Sequence, residues 1–152
     1  MTEAPARSRR EVAVAAALVL VPLAITVVVL AFRHWYPTGD LAQAELRLRS
    51  FPSHPPLVGA AGRIVSDAGV QGNHPGPAFF WAAYPFYLVL GRSAWASEAA
   101  VAILGAAWVT TALWLVRRVA GTAVMAGVAV TFAVLLGGYG LDAGTQLWNP
   151  WM

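Results

Sequence analysis

The chain has 152 residues, 59% of them hydrophobic and 11% charged, with a mean hydropathy of +0.62; such a composition excludes a water-soluble domain and leaves an integral membrane protein. Ten basic residues against seven acidic ones leave a net charge of +3, too little for nucleic acid to be the partner. All ten are arginine, and the absence of cysteine excludes disulfides, thiolate metal sites and thiol nucleophiles.

Val12 to Phe32 is a run of 21 residues without a charge, about 30 Å as a helix and so one full crossing of a hydrocarbon core. Pro22 interrupts the run, which membrane helices tolerate where Ser, Thr or neighbouring helices satisfy the freed carbonyl. Arg7, Arg9 and Arg10 precede it. The apolar stretch exceeds the roughly 7 to 15 residues of a signal peptide, so residues 1–11 read as a cytoplasmic start and 12–32 as an uncleaved transmembrane helix of the plasma membrane.

Residues 33–97 read as an external loop. Its first part, 33–74, holds four arginines, three acids and all three histidines of the chain, and a segment of this length between apolar runs is commonly a lid or binding element. Good helix formers follow Gly39-Asp40, which predicts an amphipathic helix over 40–50 with Leu41, Leu48 and the alanines on its apolar side. Asp40 has two readings: a general base held just above the bilayer, or an N-cap, a position Asp favours. Glu45 and Arg49 are four apart, the spacing of a surface ion pair. Phe51-Pro-Ser-His-Pro-Pro ends the helix, and Gly59, Gly62, Gly69 and Gly72 loosen the stretch beyond it. Arg63 and His74 could contact a phosphate through a guanidinium and an imidazole, against the plainer reading of a solvated loop. His54 and His74, 20 apart, have ligand chemistry but not a recognisable metal-site spacing.

Asn73-His74-Pro75-Gly76-Pro77 marks a rigid turn into a helix over 76–91. This 17-residue uncharged stretch, Pro75 to Gly91, carries three prolines and the aromatics Phe79, Phe80, Trp81, Tyr84, Phe86 and Tyr87, a composition suited to headgroup depth. Two longer uncharged stretches come next, Ala99 to Val116 and Val119 to Leu141. Clustered arginine in a short loop stays cytoplasmic, which puts Arg117 and Arg118 inside only if 76–91 does not cross. The expectation is therefore an all-α polytopic protein: transmembrane helices at 12–32, 98–116 and 120–141, a juxtamembrane or re-entrant helix at 76–91, and an external tail 142–152. Four spans result if 76–91 also crosses. In that tail Trp148-Asn149-Pro150-Trp151 reads as an aromatic belt enclosing one amide, and Gly137-Gly138-Tyr139-Gly140 as small-residue helix packing.

The ordered set of these features resembles the front of an integral-membrane C-type (GT-C) glycosyltransferase using a polyprenyl-phosphate sugar donor. The set is an opening transmembrane helix, Gly39-Asp40 with Glu45-Leu46-Arg47, the Pro-Leu-Val-Gly stretch ending at Arg63, Asn-His-Pro-Gly-Pro before an aromatic helix, and Trp148-Asn149-Pro150-Trp151. The actinobacterial members are most similar, and arginine-only basic usage agrees with a GC-rich genome. The resemblance implies that Asp40 takes the proton of an acceptor hydroxyl, such as that of a cell-wall glycan, as it attacks the anomeric carbon while the lipid phosphate leaves. It implies Arg63 and His74 as positive charge near that phosphate, Asn149 and Glu45 as polar contacts, and Asp142 as the counterpart of a second family acid. A lipid-linked sugar takes the place of a soluble cofactor, and no metal site is assigned. Family members are several times longer, so the match covers the front of one, and a piece of that length is expected to be inactive alone. The competing expectation is a small non-catalytic membrane scaffold or partner subunit. Transport lacks the ionisable groups deep within a span that coupling uses.

Overall fold

The computed structural model describes residues 5–33, 35–65, 67–69, 71–73, 76–140 and 145–146. Among them the elements run α1 (Pro5–Phe32), α2 (Gly39–Ser50), β1 (Ala61–Val65), β2 (Gln71–Asn73), α3 (Ala78–Val89) and α4 (Ala94–Tyr139). Helices dominate, as the composition requires, and a two-stranded antiparallel hairpin is added to them. The glycines expected to loosen 59–72 instead build this hairpin. A Cβ on Gly62 would come within 3.0 Å of the Gly72 carbonyl oxygen, and Gly69 between the strands has φ +74°, a conformation that costs glycine nothing.

Helix α1 begins before the apolar run and takes Arg7, Arg9 and Arg10 into its first turns. Pro22 lies inside it without ending it; four residues on, the Thr26 hydroxyl donates to the Pro22 carbonyl at 3.0 Å, and Ser/Thr back-bonding of this kind accompanies bends in membrane helices.

Helix α4 runs as two limbs, 94–120 and 122–139, broken at Gly121 with φ 84° and ψ −179°. Only glycine occupies this backbone region at ordinary cost. The break therefore falls three residues past Arg118 rather than at the arginine pair, which the charge pattern places in the loop. The pair stays helical because each member has a partner: Arg117 Nε donates to Glu11 at 2.7 Å, and Arg118 lies 4.2 Å from the centroid of Trp114. Glu11 also accepts from Thr122 Oγ1 at 3.0 Å, so one carboxylate ties the start of α1 to both sides of the turn.

The limbs pack along α1 in opposite directions. Val12 and Ala16 share a buried cluster with Leu113 of the first limb and Met125 of the second, while Trp95 Nε1 at the far end donates to the Val27 carbonyl at 2.8 Å. The chain thus runs along α1, back along the first limb and forward again along the second, with Glu11 and Arg117 at one end of the α1 contact and Val27 and Trp95 toward the other.

Over that second end sits a cap made of α2, α3 and the first turns of α4. Its core is Ala44, Leu48, Phe51, Phe80, Ala83, Tyr87, Ala96, Ala100 and Val101. Phe51 stacks on Tyr84 at 4.0 Å and meets Trp81 edge-on at 4.8 Å; Trp81 Nε1 donates to the Pro56 carbonyl at 3.0 Å. Helix α3 has 12 residues, about 18 Å at the helical rise and well short of a ~30 Å hydrocarbon core. Pro77 stands at its N-cap. The turn into α4 uses Gly91 (φ 95°) and Arg92 (φ 54°), and the Ser93 side chain accepts from the Ala96 N–H at 3.1 Å, a regular N-cap.

Candidate functional site

Asp40 is exposed in the first turn of α2. The N-cap of that helix is Thr38, whose side chain makes no capping bond. The N-cap reading of Asp40 is thereby corrected: Thr38 holds that place, and Asp40 stands two residues further on, where its charge meets the positive helix end. Gly39, with φ +56°, turns the chain into the helix and displaces the boundary by one residue.

Beside Asp40 is a notch of about 10 Å³ lined by Asp40, Gln43, Ala44, Arg47 and Ala60, room for one water or one hydroxyl. Arg47 fixes its wall. The guanidinium donates to the carbonyls of Val58 (3.1 Å) and Gly59 and to Asn73 Oδ1 at 3.1 Å, and lies 6.0 Å from the Phe80 ring centroid. One side chain of α2 thus holds the post-helix loop, β2 and α3 in register. In the sequence Arg47 stands out only as part of a motif, because partners 11 to 26 residues away leave no local signature.

Behind the notch lies a second polar group. Glu45 and Arg49 form the expected i,i+4 pair at 2.8 Å, but the glutamate side chain is only 7% exposed, so the surface pair is in fact half sunk in the cap core. The extra partner explains this. Tyr87 of α3, fully buried, donates its hydroxyl to the same Glu45 oxygen at 2.7 Å. Burial first, and then the bond to Glu45, push the Tyr87 phenol up to about 12, so it remains a donor through the neutral range. Arg49 is held more firmly in its charged form, chiefly by its bond to Glu45. Glu45 is fully engaged by these two partners, and its geometry is that of a brace.

The other sequence candidates are spread differently. Arg63 lies in β1, with its side chain outside the described atoms, and His74, Asp142 and Asn149 lie outside the described residues. His54 is exposed and bonds Ser53 Oγ at 3.0 Å through Nδ1; among the described residues no three metal-ligating side chains gather. The described structure thus joins Asp40 to Gln43 and Arg47, and joins Glu45 to Arg49 and Tyr87. Glu98, buried near the start of α4, carries no signal in the sequence beyond standing just before an uncharged run. The Glu11–Arg117 pair was missed for another reason: its members are 106 residues apart and meet only because the helices fold back.

Fold and site together define a helical protein with two helices long and apolar enough to cross a membrane, Arg7–Phe32 and Ala94–Tyr139, the latter in two limbs, and a polar-edged cap at one end. No family model, curated protein or solved structure matches the chain.

Proposed function

We propose that the chain is embedded in the plasma membrane with its arginine-rich end cytoplasmic and its cap outside, and that the cap carries the acceptor-side half-site of a glycosyl transfer from a polyprenyl-phosphate sugar, in the manner of GT-C enzymes. The observation that carries the proposal is an exposed carboxylate, Asp40, beside a hydroxyl-sized notch on a braced cap. A base must reach the acceptor hydroxyl as it attacks, and a base on an element locked by Arg47 and by the Glu45–Arg49–Tyr87 group meets the positional demand of transfer chemistry. Arg63, His74, Asn149 and Asp142 remain the proposed donors and polar contacts for the lipid phosphate, sugar and acceptor. The shortness of α3 supports a cap lying wholly on one side, along the lipid boundary.

With the chain in place as the front of a complete GT-C enzyme, membranes are expected to transfer labelled sugar from a polyprenyl-phosphate donor to a cell-wall glycan acceptor. Asp40→Asn should lower the rate by about 10²–10⁴-fold at a stability cost of only about 0.3–1 kcal/mol, since the residue is not the cap. Equal transfer by the variant overturns the role of Asp40. A second reading, a non-catalytic scaffold, is favoured by one observation: Glu45, Arg47 and Arg49 are all used in internal contacts. It predicts no transfer by either form. The topology has its own check, because single cysteines at Tyr36 and Tyr139 should react with an impermeant reagent from one side and a cysteine at Val119 from the other.

A further inference from the structure

Between α1 and the second limb of α4 runs an open groove of about 610 Å³, within the range of small-molecule sites. Its floor is made of small side chains, Ala126, Ala129 and Ala133, and Leu18 stands on its rim, 72% exposed. From Thr122 at the mouth to Ala133 the groove extends roughly 16 Å at the helical rise, close to one leaflet, about half of a ~30 Å core. The mouth is charged. Arg7, Arg10 and Glu11 line it, and the Glu11 carboxylate is already held by Arg117 at 2.7 Å and Thr122 at 3.0 Å. Arg7 is 72% exposed although it touches Glu11 at 3.2 Å, and Arg10 is exposed with no ion pair or hydrogen bond among the described residues. Glu11 is balanced by Arg117, so Arg7 and Arg10 leave a net positive mouth on an apolar trough one acyl chain long.

We infer that this groove binds an anionic phospholipid of the leaflet at the arginine-rich end, its phosphate on Arg7 and Arg10 and one acyl chain along the alanine floor. The inference rests on the proposal that the rods cross a membrane, and it is independent of any reading of Asp40. Charge complementarity selects the occupant: a zwitterionic lipid supplies the same chain without net charge, and a protein helix would have to bring its own acid to the two arginines. Guanidinium groups favour phosphate through paired N–H donors, and basic side chains at the surface of an anionic leaflet gain about 1 kcal/mol each.

The absence of cysteine permits a clean test. The full chain carries a bimane label on Val130→Cys, at the groove side of the second limb, or on Thr111→Cys, exposed on the first limb at a similar distance from Gly121. It is reconstituted in vesicles of phosphatidylcholine with a small fraction of either dibrominated phosphatidylglycerol or dibrominated phosphatidylcholine. The groove label should be quenched by the brominated anionic lipid at a concentration roughly 5- to 30-fold lower than by the zwitterionic one, the ratio for one to two effective arginines. The Thr111 label should show little preference, and Arg7→Gln with Arg10→Gln should erase the preference at Val130. Both arginines are exposed, so the double variant keeps the buried clusters intact. Equal quenching by both lipids at Val130 overturns the site. Quenching at Thr111 but not at Val130 also overturns it, because protein, such as a second copy, then fills the groove. Quenching at neither position refutes the membrane crossing itself, and the lipid site with it.

Discussion

The cap and the three rods bury apolar surface in opposite ways. In the cap, Leu48, Phe80 and Tyr87 are at most 3% exposed and face one another, while polar side chains line the edge. Along the rods the large side chains Leu18, Phe32, Trp108 and Val119 are 72%, 79%, 73% and 88% exposed, and the buried contact between rods is confined to a small cluster of Val12, Ala16, Leu113 and Met125. In the proposed membrane arrangement a water-facing cap must hide its aromatics, whereas lipid is as apolar as leucine and gives rods no such drive. The difference teaches that each region needs its own glue: hydrophobic burial for the cap, and close packing with end-fastening polar bonds, Glu11–Arg117 and Trp95–Val27, for the rods.

The largest expected effect tests that contrast directly. Phe51→Ala removes a ring stacked on Tyr84 and set against Trp81 and should cost about 3–5 kcal/mol; Leu18→Ala, at a rod surface, should cost well under 1 kcal/mol. Thermal unfolding in one detergent measures both, and similar losses would erase the distinction between the regions. A smaller effect isolates backbone from packing. Gly121→Ala should cost about 1–3 kcal/mol although nothing lies within 4 Å of the added Cβ, because its φ of +84° is strained for any side chain. Gly127→Ala, in a helical segment with equally open surroundings, should be neutral or stabilising by up to about 1 kcal/mol. Finer still, Tyr87→Phe should cost about 1–2 kcal/mol by removing one buried donor from Glu45 while Arg49 remains. The Tyr87 phenol is raised from 10.0 to about 12 in the folded chain; the unfolded chain loses that proton first, so the group's stabilisation is complete below pH 10 and falls away as pH rises through 12. Tyr87→Phe should flatten that alkaline decline.

Much of the helix inventory was legible in the residues. Unbroken apolar runs of crossing length announced α1 and α4, and prolines crowded among aromatics marked α3 as shorter and different in kind. The arginine clusters foretold that the N-terminal part of α1 and the Arg117–Arg118 end of the first limb of α4 would lie together. Less was legible where backbone conformation decided: the β-hairpin read as loose loop because four glycines suggest disorder until Gly62 and Gly72 are seen to need close approach, and the limb boundary moved from Arg118 to Gly121 because charge marks the end of a span while φ marks the turn.

Local properties such as run length, helix propensity and side-chain polarity act within a few residues, so the sequence by itself determined which segments became helices and which end each one charged. The tertiary structure decided what those charges do. It turned Arg47 into the fastener of the cap, sank Glu45 beneath Tyr87 from 42 residues away, and left Asp40 exposed beside a notch and Arg7 and Arg10 at the mouth of a groove. Each of these depends on side chains meeting after the chain has folded back, a geometry no local pattern encodes.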